Sequence, residues 1–314
     1  GSGGGRKPRW KNCATQWSRP IYDGCRMASP SRVLITGVSG FTGVPLASRL
    51  SAAGWEVFGL TNAPACDRVP SLCADLGETD RISDWVRSIQ PTHVVHLAAL
   101  SHVVGPALPF YEVNVLGTES LLEAIRRADV RPDKVLIASS ANIYGQTPVC
   151  PISENEPPMP ANHYAASKAA MEWVARQWFD RLPIIVTRPF NYTGPGQSEA
   201  FLFAKLVGAF HRREPVLTLG NVRVARDLSD VSFVTDIYHR LLDSDVQSTV
   251  LNICSGRSVA ISEALAILRD LTGHDPDITV DPALVRPNDI EVLTGDPARL
   301  RAAIGPCVPV APED

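Results

Sequence analysis

The sequence contains no long hydrophobic run. Its apolar stretches are only a few residues long, far below the roughly 20 that a helix needs to cross a bilayer. The first 26 residues also lack the apolar core of a secretory signal. We therefore expect a cytoplasmic protein that does not act in a membrane.

Cysteine is scattered rather than clustered. The seven cysteines are odd in number and widely spaced, and no CxxC pair or cysteine–histidine cluster has the spacing of zinc ligands. This excludes a small disulfide-stapled fold and a zinc module. It predicts reduced thiols and no metal site.

An excess of positive charge is also missing. Acidic residues number 33 against 30 basic ones, a net charge of −3 at pH 7, and no sustained basic run follows the first few residues. Nucleic acid is therefore not an expected partner. A chain of 314 residues that is 45% hydrophobic and 20% charged is typical of a soluble globular protein, and small-molecule chemistry is the function that this composition favours.

Strand-like and helix-like patterns alternate through the first two-thirds of the chain. Residues 1–30 are set aside as a tag or disordered extension, because the first 26 are Gly-rich and basic without apolar periodicity. Continuous Val/Ile/Leu runs then predict strands at Val33–Thr36, Glu56–Leu60, His93–Leu97, Val135–Ser139 and Pro183–Thr187. Apolar residues at three- and four-residue steps predict helices at Phe41–Ala53, Arg81–Ile89, Tyr111–Arg127 and Tyr164–Arg181. The alternation predicts an α/β fold with a doubly wound parallel sheet and helices on both faces.

The pattern changes after Arg188. Loops rich in Gly, Pro and Asn follow, with helices predicted near Phe201–Arg212, Ile261–Leu271 and Pro297–Ile304. We therefore predict a first domain over residues 31–188 and a smaller C-terminal α/β module over residues 189–314.

A glycine loop follows the first predicted strand. Thr36–Gly43 reads TGVSGFTG, with glycines at GxxGxxG spacing, and it opens a predicted helix. Glycines permit a tight turn and a close approach of backbone to a pyrophosphate, which the N–H groups and dipole of a helix N-terminus stabilise. The position after the first strand of an α/β pattern favours dinucleotide binding over an ordinary strand–helix turn.

The end of the second predicted strand bears on the choice of dinucleotide. It reads Gly59-Leu60-Thr61-Asn62, without the Asp or Glu that binds the ribose hydroxyls in NAD-specific sites. No acid would repel a 2′-phosphate there, which mildly favours NADP(H), but no basic residue stands there either. Both NADP(H) and NAD(H) stay open.

Tyr164 and Lys168 lie four residues apart, on one face of a predicted helix. A phenol with a pKa near 10 is a poor acid–base group at neutral pH, and a nearby ammonium, helped by a positive nicotinamide, favours the phenolate and lowers that pKa. Ser140 follows the predicted strand 135–139, at the sheet edge where a hydroxyl can reach the same crevice. These residues predict proton transfer to a carbonyl oxygen that Ser140 positions.

Together these motifs resemble the extended short-chain dehydrogenase/reductase family, also called the epimerase/dehydratase family. The resemblance covers about Arg32 to Gly305. It is carried by the glycine loop, Asp75-Leu76, His96–Ala99, Asn114, the SSxxxYG segment Ser139–Gly145 and the Tyr164/Lys168 pair. Segments Arg188–Gln197, Ala225–Leu228, Asn252–Gly256 and Arg286–Asp289 resemble the nucleotide-sugar branch, most closely the GDP-4-keto-6-deoxymannose reductases.

The resemblance implies a Rossmann-type NAD(P)-binding domain over residues 31–188 and a module over 189–314 that mainly binds a sugar nucleotide. The implied catalytic residues are Ser140, Tyr164 and Lys168. The implied cofactor-binding residues are Gly37, Ser39, Gly40, Phe41, Thr42, Gly43, Asp75, Leu76, Leu97, Ala98, Ala99, Asn114, Tyr164 and Lys168. The implied substrate-binding residues are Ser101, His102, Ser140, Asn142, Asn191, Arg226 and Arg286. The two arginines suit phosphate because a guanidinium binds its oxygens bidentately.

The residues after Ser140 distinguish the reactions of the family. Dehydratases of the family carry an acidic pair there and fucose-synthase-type enzymes a cysteine, whereas this chain has Ala141-Asn142. The resemblance therefore implies NAD(P)H-dependent reduction of the C4 ketone of a GDP-linked 4-keto-6-deoxyhexose, giving a GDP-6-deoxyhexose of the GDP-D-rhamnose type. Two alternatives stay open: a nucleotide-sugar 4-epimerase with tightly bound NAD, and a nucleotide-sensing protein without turnover.

The helices predicted at Tyr111–Arg127 and Tyr164–Arg181 carry more apolar residues than one buried stripe requires, Trp173 among them. In the family these helices pair with their symmetry mates as a four-helix bundle, so the resemblance implies a C2 homodimer. Relatives continue after Gly305 with a terminal helix, and three prolines in residues 306–312 argue against one here.

Overall fold

The computed structural model describes residues 1, 30–63, 68–101, 106–285 and 290–310. Contacts divide the chain into residues 1–30 and 31–314, and the described helices and strands all belong to the second unit. The strands are β1 (Arg32–Thr36), β2 (Glu56–Thr61), β3 (Ser71–Cys73), β4 (His93–His96), β5 (Lys134–Ala138), β6 (Ile184–Pro189), β7 (Asn191–Thr193), β8 (Val216–Leu219), β9 (Ala225–Asp230), β10 (Thr249–Ile253), β11 (Ser258–Ala260), β12 (Asp277–Val280) and β13 (Val292–Leu293). The α-helices are α1 (Gly43–Ala52), α2 (Thr79–Ile89), α3 (Ala107–Tyr111), α4 (Gly117–Arg127), α5 (His163–Arg176), α6 (Leu202–His211), α7 (Val231–Leu242), α8 (Ile261–Thr272) and α9 (Ala298–Ile304).

Seven of these strands form one parallel sheet in the described part of the chain, in the order β10-β6-β5-β4-β1-β2-β3. The chain moves outward from β1 to β3 and then crosses back to β4, so the strand order reverses between β1 and β4. In doubly wound sheets, ligands bind at the carboxyl ends of the strands at such a reversal. The predicted fold class is confirmed.

Both faces of this sheet are buried. Leu34 of β1 packs in a cluster with residues of α2, α4 and α5, whereas its neighbours Val33 and Ile35 pack against α1 and α7. Because successive strand residues point to opposite faces, a strand covered on both sides needs an unbroken apolar run. This explains why five of the seven strands of the sheet, β1, β2, β4, β5 and β6, were recognisable in the sequence.

The helix predicted at Tyr111–Arg127 is divided. Residues Glu112–Leu116 form a π-helical turn between α3 and α4. Within it, the carbonyl of Asn114 accepts a hydrogen bond from Thr118 Oγ1 at 2.7 Å, a side-chain bond that competes with the regular backbone pattern. The helix predicted at Tyr164–Arg181 ends earlier, at Arg176, and a series of turns follows it.

The parallel sheet continues past the predicted boundary at Arg188. Strand β10 pairs with β6 along Thr249–Ile253, and α7 packs on α1 over the same face of the sheet. Neither element was predicted from the sequence. Residues of the expected second module thus complete the first sheet, and a substrate-binding role for residues 189–314 stays a prediction.

The remaining strands form two small sheets. In one, β9 lies between β11 and β13 and also pairs with β7; in the other, β8 pairs with β12. Helices α6 and α8 pack around a separate apolar cluster that includes Phe210, Leu217 and Leu265. After α9 the described residues 305–310 form no helix, as the prolines predicted. No helix among the described residues is long and apolar enough to cross a membrane.

Candidate functional site

The loop between β1 and α1 is too tight for side chains at two of its glycines. Gly37 has a φ of +68°, in the left-handed region that favours glycine. A Cβ atom at Gly43 would lie 2.3 Å from the Gly37 carbonyl oxygen and 2.7 Å from Cα of Val38. The loop can therefore bring its backbone N–H groups close to a pyrophosphate at the N-terminus of α1.

The same loop meets the segment that follows β4. A Cβ atom at Gly37 would lie 2.9 Å from the backbone nitrogen of Ala98, whose N–H donates to Thr36 Oγ1 at 3.1 Å. Leu97, Ala98 and Ala99 are half-buried here. The structure thus brings these predicted cofactor residues together with the glycine loop at the reversal of strand order.

Side chains of the glycine loop contact other parts of the protein. Ser39 Oγ lies 2.7 Å from Thr61 Oγ1 at the end of β2. Thr42 Oγ1 lies 2.8 Å from the Tyr192 hydroxyl, and the Phe41 ring stacks on the Tyr192 ring with centroids 5.7 Å apart. Sequence reasoning did not single out Tyr192 of β7, although it lies in a segment that resembles the nucleotide-sugar branch. The contacts of Tyr192 join the glycine loop to the small sheet that contains β7 and β9.

The predicted adenine residues Asp75 and Leu76 follow β3, beside β2. Asp75 is exposed, and its N–H donates to Glu78 Oε1 at 2.9 Å. Leu76 lies against α4, where a Cβ atom at Gly117 would come within 2.8 Å of Leu76 Cδ1. Their place on the β2–β3 side of the reversal suits the adenosine half of a dinucleotide.

Asn114 is fully buried in the π-helical turn and holds two active-site segments together. Its Oδ1 accepts from the Leu100 N–H at 2.8 Å, and its Nδ2 donates to the Leu100 carbonyl at 3.1 Å. The same Nδ2 donates to Ser167 Oγ at 2.9 Å. Asn114 therefore ties the loop after β4 to helix α5, and its predicted contact with the cofactor stays a prediction.

The three predicted catalytic residues converge at the carboxyl end of β5. The Ser140 hydroxyl hydrogen-bonds with the Tyr164 phenol and accepts from the Asn142 N–H at 3.2 Å. Lys168 Nζ donates to the carbonyl of Ala138, the last residue of β5, at 2.8 Å. All three side chains are at least nine-tenths buried.

Burial dominates the ionisation of this group. Burial raises the pKa of Tyr164 to about 12, and the hydrogen bond with Ser140 opposes that rise. Burial lowers the pKa of Lys168 to about 8, although the Glu172 carboxylate acts in the opposite direction. Lys168 Nζ is bound to the Ala138 carbonyl, and the lowering of the Tyr164 pKa expected from Lys168 together with a positive nicotinamide stays a prediction.

Two aromatic neighbours complete the surroundings of Tyr164. The ring of Phe110 meets the Tyr164 ring edge-on, with centroids 6.3 Å apart at 63°. The adjacent residues are also in contact: Tyr111, which follows Phe110, has its Oη 3.1 Å from Nδ1 of His163, which precedes Tyr164. The end of α3 thus contacts the start of α5 at two consecutive positions, which no sequence pattern had indicated.

The predicted substrate residues lie partly on the smaller sheet. Asn191 of β7 pairs with Leu228 of β9, the strand that also carries Arg226. Arg226 Nη1 donates to the Ala225 carbonyl at 2.9 Å. Ser101 is exposed and Asn142 is half-buried. The predicted residues His102 and Arg286 lie outside the described residues.

A buried carboxylate holds the strand of Arg226 in place. Asp227 accepts from the N–H groups of Ser255 at 2.8 Å, Gly256 at 2.9 Å and Gly295 at 3.2 Å, and also from Ser255 Oγ. Burial raises the pKa of Asp227, and these hydrogen bonds oppose the rise. The position of Arg226 is thus set by its neighbour along the strand.

A glycine cradle at the reversal of a doubly wound sheet, next to a serine–tyrosine–lysine group, defines the class of NAD(P)-binding short-chain dehydrogenases/reductases. Within that class, residues 34–305 match the family described as GDP-mannose 4,6 dehydratase, and the chain belongs to this family.

Reductases and dehydrogenases are among the relatives. The GDP-6-deoxy-D-talose 4-dehydrogenase of Aggregatibacter actinomycetemcomitans is 34% identical over 276 residues, covering 87% of this chain and 91% of its own. The GDP-6-deoxy-D-mannose reductase of Pseudomonas aeruginosa is 34% identical over 289 residues, with the same coverage. The solved structure of RMD from Pseudomonas aeruginosa complexed with NADPH has a TM-score of 0.79 and 32% identity, covering 90% of this chain and 95% of that one.

We predict that Gly43→Ala weakens binding of NADPH about 10- to 100-fold. The added methyl group must displace the Gly37 carbonyl, and losing one N–H bond to phosphate costs about 1.5–3 kcal/mol. Isothermal titration calorimetry of both proteins measures the change. Gly77→Ala is the control, because no atom lies within 4 Å of the added Cβ and Gly77 does not have a left-handed φ. Equal affinities in the wild type and Gly43→Ala would contradict the assigned cradle.

Proposed function

We propose that this chain is an NAD(P)H-dependent reductase of the C4 ketone of a GDP-linked 4-keto-6-deoxyhexose. The observation that carries the proposal is a complete Ser140–Tyr164–Lys168 group followed by Ala141-Asn142. That group serves hydride chemistry at a carbonyl, and the two residues after it lack the acid that elimination of water needs. The names of the two curated relatives support a GDP-linked deoxysugar as substrate.

The residues divide the reaction between them. Reduced nicotinamide supplies the hydride at C4 when bound. Tyr164 donates its phenolic proton to the alkoxide that forms, and the phenol holds that proton at neutral pH. Ser140 positions the ketone oxygen beside the phenol. Lys168, with a pKa of about 8, carries a positive charge at pH 7 that stabilises the phenolate left behind.

Dehydration is disfavoured by the side chains themselves. Ala141 is 1% exposed and apolar. Asn142 is a neutral amide, and its N–H already donates to Ser140 Oγ. Neither group can take a proton from carbon or give one to a leaving hydroxyl. Membership of a family described by its dehydratases thus does not carry that reaction to this chain.

The stereochemistry at C4 distinguishes two products. 6-Deoxytalose and 6-deoxymannose differ at C4 alone, and the curated relatives include one enzyme named for each sugar. The product is therefore a GDP-6-deoxyhexose, of the GDP-D-rhamnose type when hydride arrives on one face of C4 and of the talose type when it arrives on the other.

NADPH is the cofactor that we favour. Thr61 ends β2 without a carboxylate, its hydroxyl paired with Ser39, so nothing at that point repels a 2′-phosphate. Arg68 lines a cavity of about 320 Å³ beside α1, together with Ser48 and Ser51. This cavity places a cation and two hydroxyls on the β2 side of the helix.

We predict that the purified protein oxidises NADPH in the presence of GDP-4-keto-6-deoxymannose, with a higher kcat/KM than with NADH. Loss of absorbance at the nicotinamide band follows the rate, and NMR of the product assigns C4. No oxidation by a folded protein that binds NADPH would overturn the reductase. Interconversion of C4 epimers by protein that retains NAD⁺ would establish the 4-epimerase instead.

We predict that Tyr164→Phe lowers kcat by roughly two to four orders of magnitude, the usual effect of removing a general acid. Affinity for NADPH should change little, because the ring and its contact with Phe110 are kept. Stopped-flow turnover and a binding titration separate the two effects. Tyr238→Phe is the control, since Tyr238 is a buried tyrosine of α7 that contacts Thr187 rather than Ser140. Unchanged turnover in Tyr164→Phe would remove the phenol from the mechanism.

We further propose a homodimer through α4 and α5 of each subunit. Leu116 directly before α4 is 62% exposed and Trp173 on α5 is 61% exposed, so two neighbouring helices each present a large apolar side chain at the surface. Trp173→Arg should convert a dimer to a monomer in light scattering at micromolar concentration, whereas Leu271→Arg, 64% exposed on α8, should not. A wild-type monomer mass would contradict the proposal.

A further inference from the structure

Arg188, near the end of β6, is a charged side chain buried beneath the site. Its side chain is 2% exposed and that of Glu172 is 3% exposed. Arg188 Nε donates to Glu172 Oε1 at 2.9 Å and Nη2 donates to Oε2 at 2.7 Å, so the pair is bidentate. Glu172 lies on α5 one helical turn after Lys168.

The remaining nitrogen of the guanidinium reaches a different segment. Arg188 Nη1 donates to the Tyr144 hydroxyl at 2.8 Å, which in turn donates to Asn252 Oδ1 of β10 at 2.7 Å. Tyr144 ends the short 3₁₀ helix Ala141–Tyr144 that begins directly after Ser140. One guanidinium therefore connects the helix of Tyr164 and Lys168 to the turn of Ser140.

The free-energy cost of burying this ion pair is high if the pair contributes only to stability. Burying an ion pair costs several kcal/mol per ion in desolvation, and apolar residues of similar volume are often as stabilising. The bidentate geometry does, however, specify distance and orientation between the segments that it joins. A fixed relation between Ser140 and the Tyr164–Lys168 face is what proton transfer to one oxygen requires.

We infer that Arg188 and Glu172 are positioning residues that hold Ser140, Tyr164 and Lys168 in register and set the charge next to Lys168. The inference rests on the proposed function for the role of those three residues. Neither Arg188 nor Glu172 touches substrate, cofactor or the reacting atoms in this assignment.

The titratable and charged groups around Lys168 determine how the Arg188–Glu172 pair affects the charge of Lys168. On its own helix, Lys168 faces Tyr164 and Glu172; from β5 it is bound by the Ala138 carbonyl. His96 of β4 is close enough to interact with Lys168, and burial lowers the pKa of His96 to about 3, so it is neutral. Among the described residues, the Glu172 carboxylate is the charged group that acts on the Lys168 pKa. Arg188 is paired with that carboxylate and offsets the negative charge of Glu172.

The test is the titration of Lys168 in the cofactor-free, full-length protein. The chain has five lysines, so biosynthetic ¹³C-lysine labelling gives few NMR signals, and Lys168→Met assigns the one of interest. In Glu172→Gln the loss of the carboxylate should lower the Lys168 pKa. In Arg188→Met the Glu172 carboxylate has lost its cationic partner, so its negative charge should raise the Lys168 pKa. The double variant should return the pKa towards the wild-type value.

A pair too far from Lys168 to act on its charge would not produce shifts of opposite sign. Equal titration in both single variants, or shifts in the same direction, would overturn the inference. If Arg188→Met does not fold, the test uses Glu172→Gln and the double variant, because neither leaves an unpaired carboxylate. These two variants then decide the sign of the change in the Lys168 pKa. Because the titration uses no substrate, a wrong substrate assignment leaves this result intact. Glu199→Gln, which breaks the exposed pair with Arg212, is the matched control and should not move Lys168.

Turnover tests the positioning of Ser140 separately. Tyr144→Phe removes one hydroxyl and no charge, so it should leave the Lys168 titration unchanged. With the reductase substrate it should lower kcat roughly ten- to hundred-fold with little change in KM, as expected from a small misplacement of a reacting group. Full kcat in Tyr144→Phe would overturn the link between Arg188 and Ser140.

Discussion

The close approach of backbone to backbone at the reversal of strand order is the constraint on which the site depends. Gly37 lies against the backbone of Ala98, and Gly43 lies against the carbonyl of Gly37. These contacts leave no room for side chains, so the chain after β1 lies directly against the chain after β4. Ser140 follows the neighbouring strand β5, and Tyr164 and Lys168 lie on helix α5.

Burial then determines how the catalytic groups behave. Tyr164 and Lys168 both lose water, and each responds by favouring its neutral form: the phenol holds its proton more tightly and the amine less tightly. Tyr164 is thus protonated at neutral pH, the form in which a reductase needs it to give a proton to an alkoxide. Lys168 keeps most of its charge at pH 7 because Glu172 opposes desolvation.

Two residues distinguish the reaction proposed for this chain from that of the dehydratases that give its family its description. The matched family is described by its dehydratases, whereas position 141 is a buried alanine and position 142 a half-buried asparagine. The scaffold and the hydride-transfer group are shared, and the acid for elimination is absent from the place where dehydratases of the family carry it. Since neither Ala141 nor Asn142 can act as an acid or a base, these two positions favour reduction over dehydration.

The sequence by itself determined five of the seven strands of the sheet, the glycine loop and the group of Ser140, Tyr164 and Lys168. These are local signals: continuous apolar runs for strands buried on both faces, glycine spacing for the loop, and a four-residue step for Tyr164 and Lys168. Only the tertiary structure decided that β10 joins the first sheet, that Tyr192 contacts the cofactor loop and that Arg188 pairs with Glu172. Each of these contacts joins residues far apart in the chain, and none of them leaves a periodic pattern in the sequence.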